Sequence, residues 1–87
     1  MADLKLVVYS KQGCTQCKMT KDQFTKRHVE FEVRDETTQE DVIQDVKDLG
    51  YQAFPLVVLE DSQGAIVDAY TGFQPQKMDA FKAKLGV

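Results

Sequence analysis

Apolar and polar positions along the chain switch between two periods. Leu4 to Tyr9 is a short run of Leu, Val and Tyr with the β-branched content of a strand, and Ser10-Lys11-Gln12-Gly13 ends it. Thr15 to Arg27 spaces Cys17, Met19, Thr20 and Phe24 among polar residues in a weak helical pattern. Val29 to Asp35 sets Val29, Phe31 and Val33 against Glu30, Glu32 and Arg34, the alternation of a half-buried strand. Thr37 followed by Glu40 has the form of a capping box, and Val42, Ile43, Val46 and Leu49 make one helical stripe that Gly50 closes. Pro55 opens Leu56 to Leu59, and Asp61-Ser62-Gln63-Gly64 reads as a turn into Ala65 to Tyr70, which predicts an antiparallel hairpin. Pro75 to Leu85 begins with a proline suited to a first helical turn and carries Met78, Phe81 and Leu85 on one face. The order is strand, helix, strand, helix, strand, strand, helix. That is an α/β pattern, and its opening favours a right-handed crossover between parallel strands, with helices on both faces of a small mixed sheet.

Composition narrows the partners. At 87 residues the chain is expected to be one domain, residues 1–87. Its 43% hydrophobic and 29% charged residues are those of a globular domain. With 11 basic residues against 14 acidic ones, net charge −3, and no basic cluster, nucleic acid is not an expected partner. Leu56-Val57-Val58-Leu59 is far below the ~20 residues of a membrane span, and Met1 to Lys5 lacks a signal-peptide layout, so a cytoplasmic location is expected.

The two cysteines carry the chemistry. Cys14-Thr15-Gln16-Cys17 falls where the first strand gives way to the first helix. As a staple it would close a short loop, worth roughly 2 kcal/mol, and would join no distant elements. As a zinc site it would need two further ligands, and His28 is the one histidine available. A redox role suits the position. The first N–H groups of a helix are unpaired and its dipole is positive there, so a thiolate at Cys14 is stabilised, with Lys11 and Lys18 adding positive potential. Cys17, one turn deeper, is placed to attack a mixed disulfide formed at Cys14. Cys14 is thus the candidate nucleophile and Cys17 the candidate resolving thiol.

These residues bring a family into view. Cys14-Thr15-Gln16-Cys17 with Thr20-Lys21 matches the C-x-Q-C-x-x-T-K pattern of the glutaredoxin-like NrdH redoxins. Leu49-Gly50-Tyr51, Pro55 and Thr71-Gly72-Phe73-Gln74-Pro75 fit the same pattern, so the chain resembles that family over nearly its whole length. The resemblance implies a thioredoxin/glutaredoxin-like fold: a four-stranded mixed sheet in the order 2-1-3-4, flanked by three helices. It also implies a cis Phe54-Pro55 peptide facing the cysteines. Candidate partner contacts are Lys11, Thr15, Gln16, Phe54, Pro55, Thr71, Gly72 and Phe73. The implied activity is that of a small dithiol–disulfide oxidoreductase, a monomer with no cofactor beyond its Cys14–Cys17 pair. It would carry electrons from thioredoxin reductase to protein disulfides, ribonucleotide reductase among them. Gln74, Tyr70 and Ala69 depart from the family's Arg and His-Trp, and the stretch from Pro55 to Gly72 is longer than in NrdH redoxins, which is expected to lengthen the last two strands.

Related readings separate on single features. Leu4 to Tyr9 lacks the buried acid that thioredoxins carry there. Lys11 matches a glutathione contact of glutaredoxins, but Thr71-Gly72-Phe73-Gln74 lacks their second glycine and acid, so weak use of glutathione is expected. A metal or iron–sulfur module built on the cysteines is the competing class. Tyr51, Phe54 and Phe73 could rim the cysteines for a partner loop, His28 reads as a solvated helix cap, and Lys21 as a surface charge.

Overall fold

β1 (Lys5–Tyr9) lies at the middle of the sheet because both its faces are apolar: its last four residues are all buried. The computed structural model describes residues 3–87. After β1 come α1 (Thr15–Lys26), β2 (Glu32–Arg34), α2 (Val42–Asp48), β3 (Leu56–Glu60), β4 (Ile66–Thr71) and α3 (Pro75–Leu85). The sheet order is β2-β1-β3-β4, as the resemblance implies. β1 pairs with β2 in parallel and with β3 antiparallel, and β3 pairs antiparallel with β4 across a register irregularity at Leu59/Glu60. β3 and β4 run for five and six residues, and Asp61 shapes the turn between them by accepting the N–H groups of Gln63 and Ala65 at 2.9 Å.

Strand alternation divides the core into two. Leu6 and Val8 of β1, with Val57 and Leu59 of β3 and Tyr70 of β4, pack against Phe24 of α1 and Met78 and Phe81 of α3. Val7 and Tyr9, with Leu56 and Val58, face Val42 and Val46 of α2. Two helices thus cover one face and one helix the other, each strand contributing alternate side chains. Burying sixteen apolar residues this way supplies most of the folding drive, at about 1.5–3 kcal/mol for a fully buried aliphatic or aromatic side chain.

Three expectations are corrected. Thr37 and Glu40 do not cap α2, which starts at Val42 with Asp41 as N-cap and no side-chain cap bond. The Thr37 hydroxyl and N–H both go to the Asp35 carboxylate, and the Thr38 hydroxyl accepts the Asp35 N–H, so an acid-centred turn claims the groups a capping box would use. The apolar stripe is narrower than expected: Val42 and Val46 are buried, whereas Ile43 and Leu49 are 44% and 43% exposed. Four-residue spacing points Val42 and Val46 at the sheet, Ile43 lies about 100° around the helix, and Leu49 falls at the C-cap. Gly50 then ends the helix with φ +96°, its N–H bonding Lys47 and that of Tyr51 bonding Val46. The second strand is only Glu32–Arg34, because α1 unwinds through the residues before it. His28 takes a left-handed φ of 58° and the Val29 N–H returns to the Phe24 carbonyl at 3.0 Å, so Val29 belongs to the helix cap and not to the ladder.

A polar network crosses the α2 face of the sheet. Arg34 donates to both Glu60 oxygens at 3.0 and 3.2 Å, to Glu32 at 2.6 Å and to the Tyr9 hydroxyl at 2.8 Å, and Lys5 pairs with Glu32 at 2.8 Å. Burial works against the Arg34 cation, but the bonds to Glu60, Glu32 and Tyr9 outweigh it and hold the guanidinium above its ordinary range. Glu32 is held below the usual carboxylate range, first by Lys5 and then by Arg34. Among the described residues, three other buried polar atoms, the hydroxyls of Thr20 and Tyr70 and one carboxylate oxygen of Glu36, have no hydrogen-bond partner. Burial pushes the Tyr70 phenol well above its ordinary value.

Candidate functional site

The site begins where β1 runs out. The Ser10 N–H bonds the Arg34 carbonyl at 2.9 Å, extending the strand pairing, and the Glu36 carboxylate accepts the Gln12 N–H at 3.0 Å. Nothing in the sequence pattern marks Glu36 for this task, since the partners are 24 residues apart. The loop so held delivers Cys14 as the N-cap of α1, with extended backbone angles (φ −97°, ψ 101°). Its sulfur accepts the Cys17 N–H at 3.2 Å, occupying one of the orphan donors of the first turn. Cys14 and Cys17 form a disulfide, with Cα atoms 5.2 Å apart. Cys14 is half-buried, whereas Cys17 is 1% exposed.

Two further loops converge on this turn. The Phe54-Pro55 peptide is cis, and the Pro55 carbonyl accepts the Gly72 N–H at 2.9 Å, tying the proline loop to the end of β4. Gly72 has φ +82°, a conformation that side chains rarely adopt, and a Cβ there would sit 3.5 Å from the Gln16 Oε1. That same oxygen accepts the Phe73 N–H at 3.2 Å. Lys11 closes the ring from the other side, its ammonium 5.2 Å from the centroid of the Phe54 ring. Gln16, Phe73, Gly72, Pro55, Phe54 and Lys11 therefore form one connected rim around the cysteines. Thr15 is exposed on the first turn of α1, and Thr71 pairs with Leu56 while its carbonyl accepts the Gln74 side-chain amide. Seven of the eight candidate contact residues lie on these three loops or the helix start, and Thr71 is the last residue of β4. Of the apolar rim, Tyr51 and Phe54 are half-buried against the α2-side core and Phe73 against the other.

His28 stands elsewhere. It is exposed and follows α1 at the end remote from Cys14, about 16 Å along the axis from Cys17 at 1.5 Å per residue, so it cannot join the cysteines around a metal within one chain. It is a cap, as expected, and its left-handed backbone fills the role glycine usually takes. Among the described residues no helix is long and apolar enough to cross a membrane.

Known proteins share the fold. The chain is 29% identical over 73 residues to the glutaredoxin-like protein NrdH of Lactococcus lactis, covering 84% of this chain and 93% of that one. It is 26% identical over 82 residues to the SPbeta prophage-derived thioredoxin-like protein YosR of Bacillus subtilis, covering 94% and 99%. Among solved structures, the thioredoxin of Malassezia sympodialis superposes with a TM-score of 0.75 at 22% identity, over 99% of this chain and 80% of the other. The NrdH-redoxin of Escherichia coli superposes at 0.71 and 21% identity, over 87% and 92%. The glutaredoxin family model matches residues 6–63, a span that takes in β1 from its second residue, the cysteine turn, the cis-proline and all of β3. The chain therefore belongs to the glutaredoxin family, and it is a thiol–disulfide oxidoreductase.

Proposed function

We propose that the protein is a dithiol electron carrier of the NrdH-redoxin type, with Cys14 as nucleophile and Cys17 as resolving thiol. The observation that carries this reading is the difference between the two sulfurs: Cys14 is half-buried at the helix cap, Cys17 is 1% exposed and one turn deeper. In the reduced protein the Cys14 thiolate attacks one sulfur of a target disulfide and expels the other as a thiolate. Cys17, having lost its proton to water, attacks the Cys14 sulfur, re-forms the intramolecular disulfide and releases the second target thiolate. The target gains two electrons and the cysteine pair loses two. The Cys17 N–H that now bonds the Cys14 sulfur supports that atom while it carries negative charge.

Thioredoxin reductase is the electron donor in this reading, and ribonucleotide reductase a protein target. Glutathione is a weak donor, because the loop from Thr71 to Gln74 carries no acid to pair an ammonium. The test follows NADPH consumption by the oxidised protein with thioredoxin reductase, and separately with glutathione and glutathione reductase. Turnover with the flavoprotein and little with glutathione is expected, and the reverse would overturn the donor assignment. Cys14→Ser is expected to abolish insulin-disulfide reduction and Cys17→Ser to accumulate a mixed disulfide visible by mass spectrometry. Unchanged turnover in either variant would overturn the roles of the two thiols.

A further inference from the structure

Three lysines converge on the groove that holds Cys14. Ser10, Lys11, Gly13, Cys14, Thr15, Lys18 and Lys21 line an open depression of about 560 Å³, and no carboxylate is among them. This runs against the grain of a chain whose net charge is −3. Among the described residues, Lys5, Arg27, Arg34 and Lys84 are tied up in ion pairs, whereas Lys11, Lys18 and Lys21, like Lys26, Lys47, Lys77 and Lys82 away from the groove, are in none. Lys11 and Lys18 are exposed, and Lys21 is half-buried. Two acids adjoin the groove without lining it. Glu36 accepts the Gln12 N–H, and Asp35 accepts the Thr37 N–H and hydroxyl, with the Lys21 charge as a further influence on it. The lining that meets an approaching partner beside Cys14 therefore carries three ammonium groups and no carboxylate.

We infer that this groove selects disulfides carried on acidic peptide segments, with Asp or Glu flanking the bond that Cys14 attacks. Charges at the edge of an encounter surface act mainly on the rate of productive collision, and they discriminate against partners of like sign. A basic segment would bring its cations to three unpaired ammonium groups beside the sulfur. An acidic one would neutralise them. The inference rests on Cys14 being the nucleophile of the preceding section and names the class of segment that nucleophile prefers.

The experiment uses three synthetic peptides of equal length, each holding one intramolecular Cys-x-x-Cys disulfide with Glu/Asp, Ser/Gln or Lys flanks. Fully reduced protein, freed of reductant, is mixed with each, and the single-turnover rate is followed at 20 mM and 0.5 M NaCl. The acidic peptide is expected to react about tenfold faster than the basic one at low salt. The ratio should approach one at high salt, where the screening length falls to about 4 Å. In the double variant Lys18→Glu, Lys21→Glu the preference should vanish or invert. Reading the ratio between peptides cancels any change the variant makes in the Cys14 thiolate itself. Equal rates for all three peptides, or a preference that survives the double variant, would overturn the inference alone. Failure to reduce any of the three would overturn the nucleophile assignment, and the inference with it.

Discussion

Replacing Arg34 with Met would expose how much the polar network across the α2 face is worth. Glu60 is 7% exposed and receives two hydrogen bonds from Arg34, at 3.0 and 3.2 Å. Removing the guanidinium leaves that buried carboxylate with no cation bonded to it, although Lys5 stands opposite it in the ladder, and it also frees Glu32 and the Tyr9 hydroxyl of a partner. Breaking a buried pair from one side costs about 3–5 kcal/mol. Arg34 keeps a side-chain exposure of 24%, so water can reach part of the site and the low end, about 3 kcal/mol, is the expected loss. For a domain of this size each kcal/mol lowers the melting temperature by about 4–8 °C, so a drop of about 12–24 °C should appear in a thermal scan followed by circular dichroism. Urea unfolding gives the free energy independently. The double variant Arg34→Met, Glu60→Met removes both charges and fills the space with apolar atoms, and it should recover most of the loss. A single variant that loses less than about 1 kcal/mol, or a double variant no more stable than the single, would refute the account of this network as a tightly coupled pair.

Two buried hydroxyls supply the other stability predictions. Thr20→Val removes a hydroxyl that has no partner while keeping the shape, and should raise stability by about 1 kcal/mol in urea unfolding; a loss would show that the hydroxyl is bonded in solution. Tyr70→Phe keeps the edge-on contact with Phe81 at 5.0 Å, deletes the unpartnered phenol oxygen, and should be neutral or stabilising at pH 7. Because burial raises the Tyr70 phenol above its unfolded value near 10, the unfolded chain loses this proton first. Its contribution is therefore intact below pH 10 and lost as pH climbs past it, so Tyr70→Phe should blunt the alkaline fall in melting temperature. Identical alkaline limbs for the two proteins would count against a buried phenol.

Local pattern was enough for the elements whose two ends are marked by their own residues. β1, α1 and α3 are bounded by Gly13, Cys14, Pro75 and similar punctuation, and they lie where periodicity puts them. The cysteine turn was legible for the same reason, since its meaning depends only on a strand behind it and a helix ahead. Sheet order and the cis peptide came through resemblance, because neither pairing partners nor peptide isomers are written in a periodicity. α2 was misread at its start because Thr37 has two possible partners, and the nearer one, Asp35, takes it. Groups joined across long separations were invisible: Arg34 with Glu60, Gln12 with Glu36, and Gln16 with Phe73 meet only after the sheet forms. Gln16 is the instructive case. Its position between the cysteines marked it as a partner contact, yet in the fold it also fastens two loops of the rim together.

The cap on α1 has a consequence for how the protein can be switched off without being damaged. Its N-terminal acceptor is the sulfur proposed above as the nucleophile, so in that reading the residue at position 14 has two independent duties. Serine can inherit one of them, because its hydroxyl is among the best acceptors at a helix start, whereas alanine can inherit neither and would forfeit about 1 kcal/mol of helix stability along with the thiol. Serine at 14 is thus expected to be the silent form of this protein, its cap kept and its electron exchange lost, and alanine there a form in which inactivity and fraying arrive together. The same overlap makes the Cys17 amide a built-in observer: whatever charge or bond the sulfur of residue 14 acquires is felt first by the hydrogen that points at it.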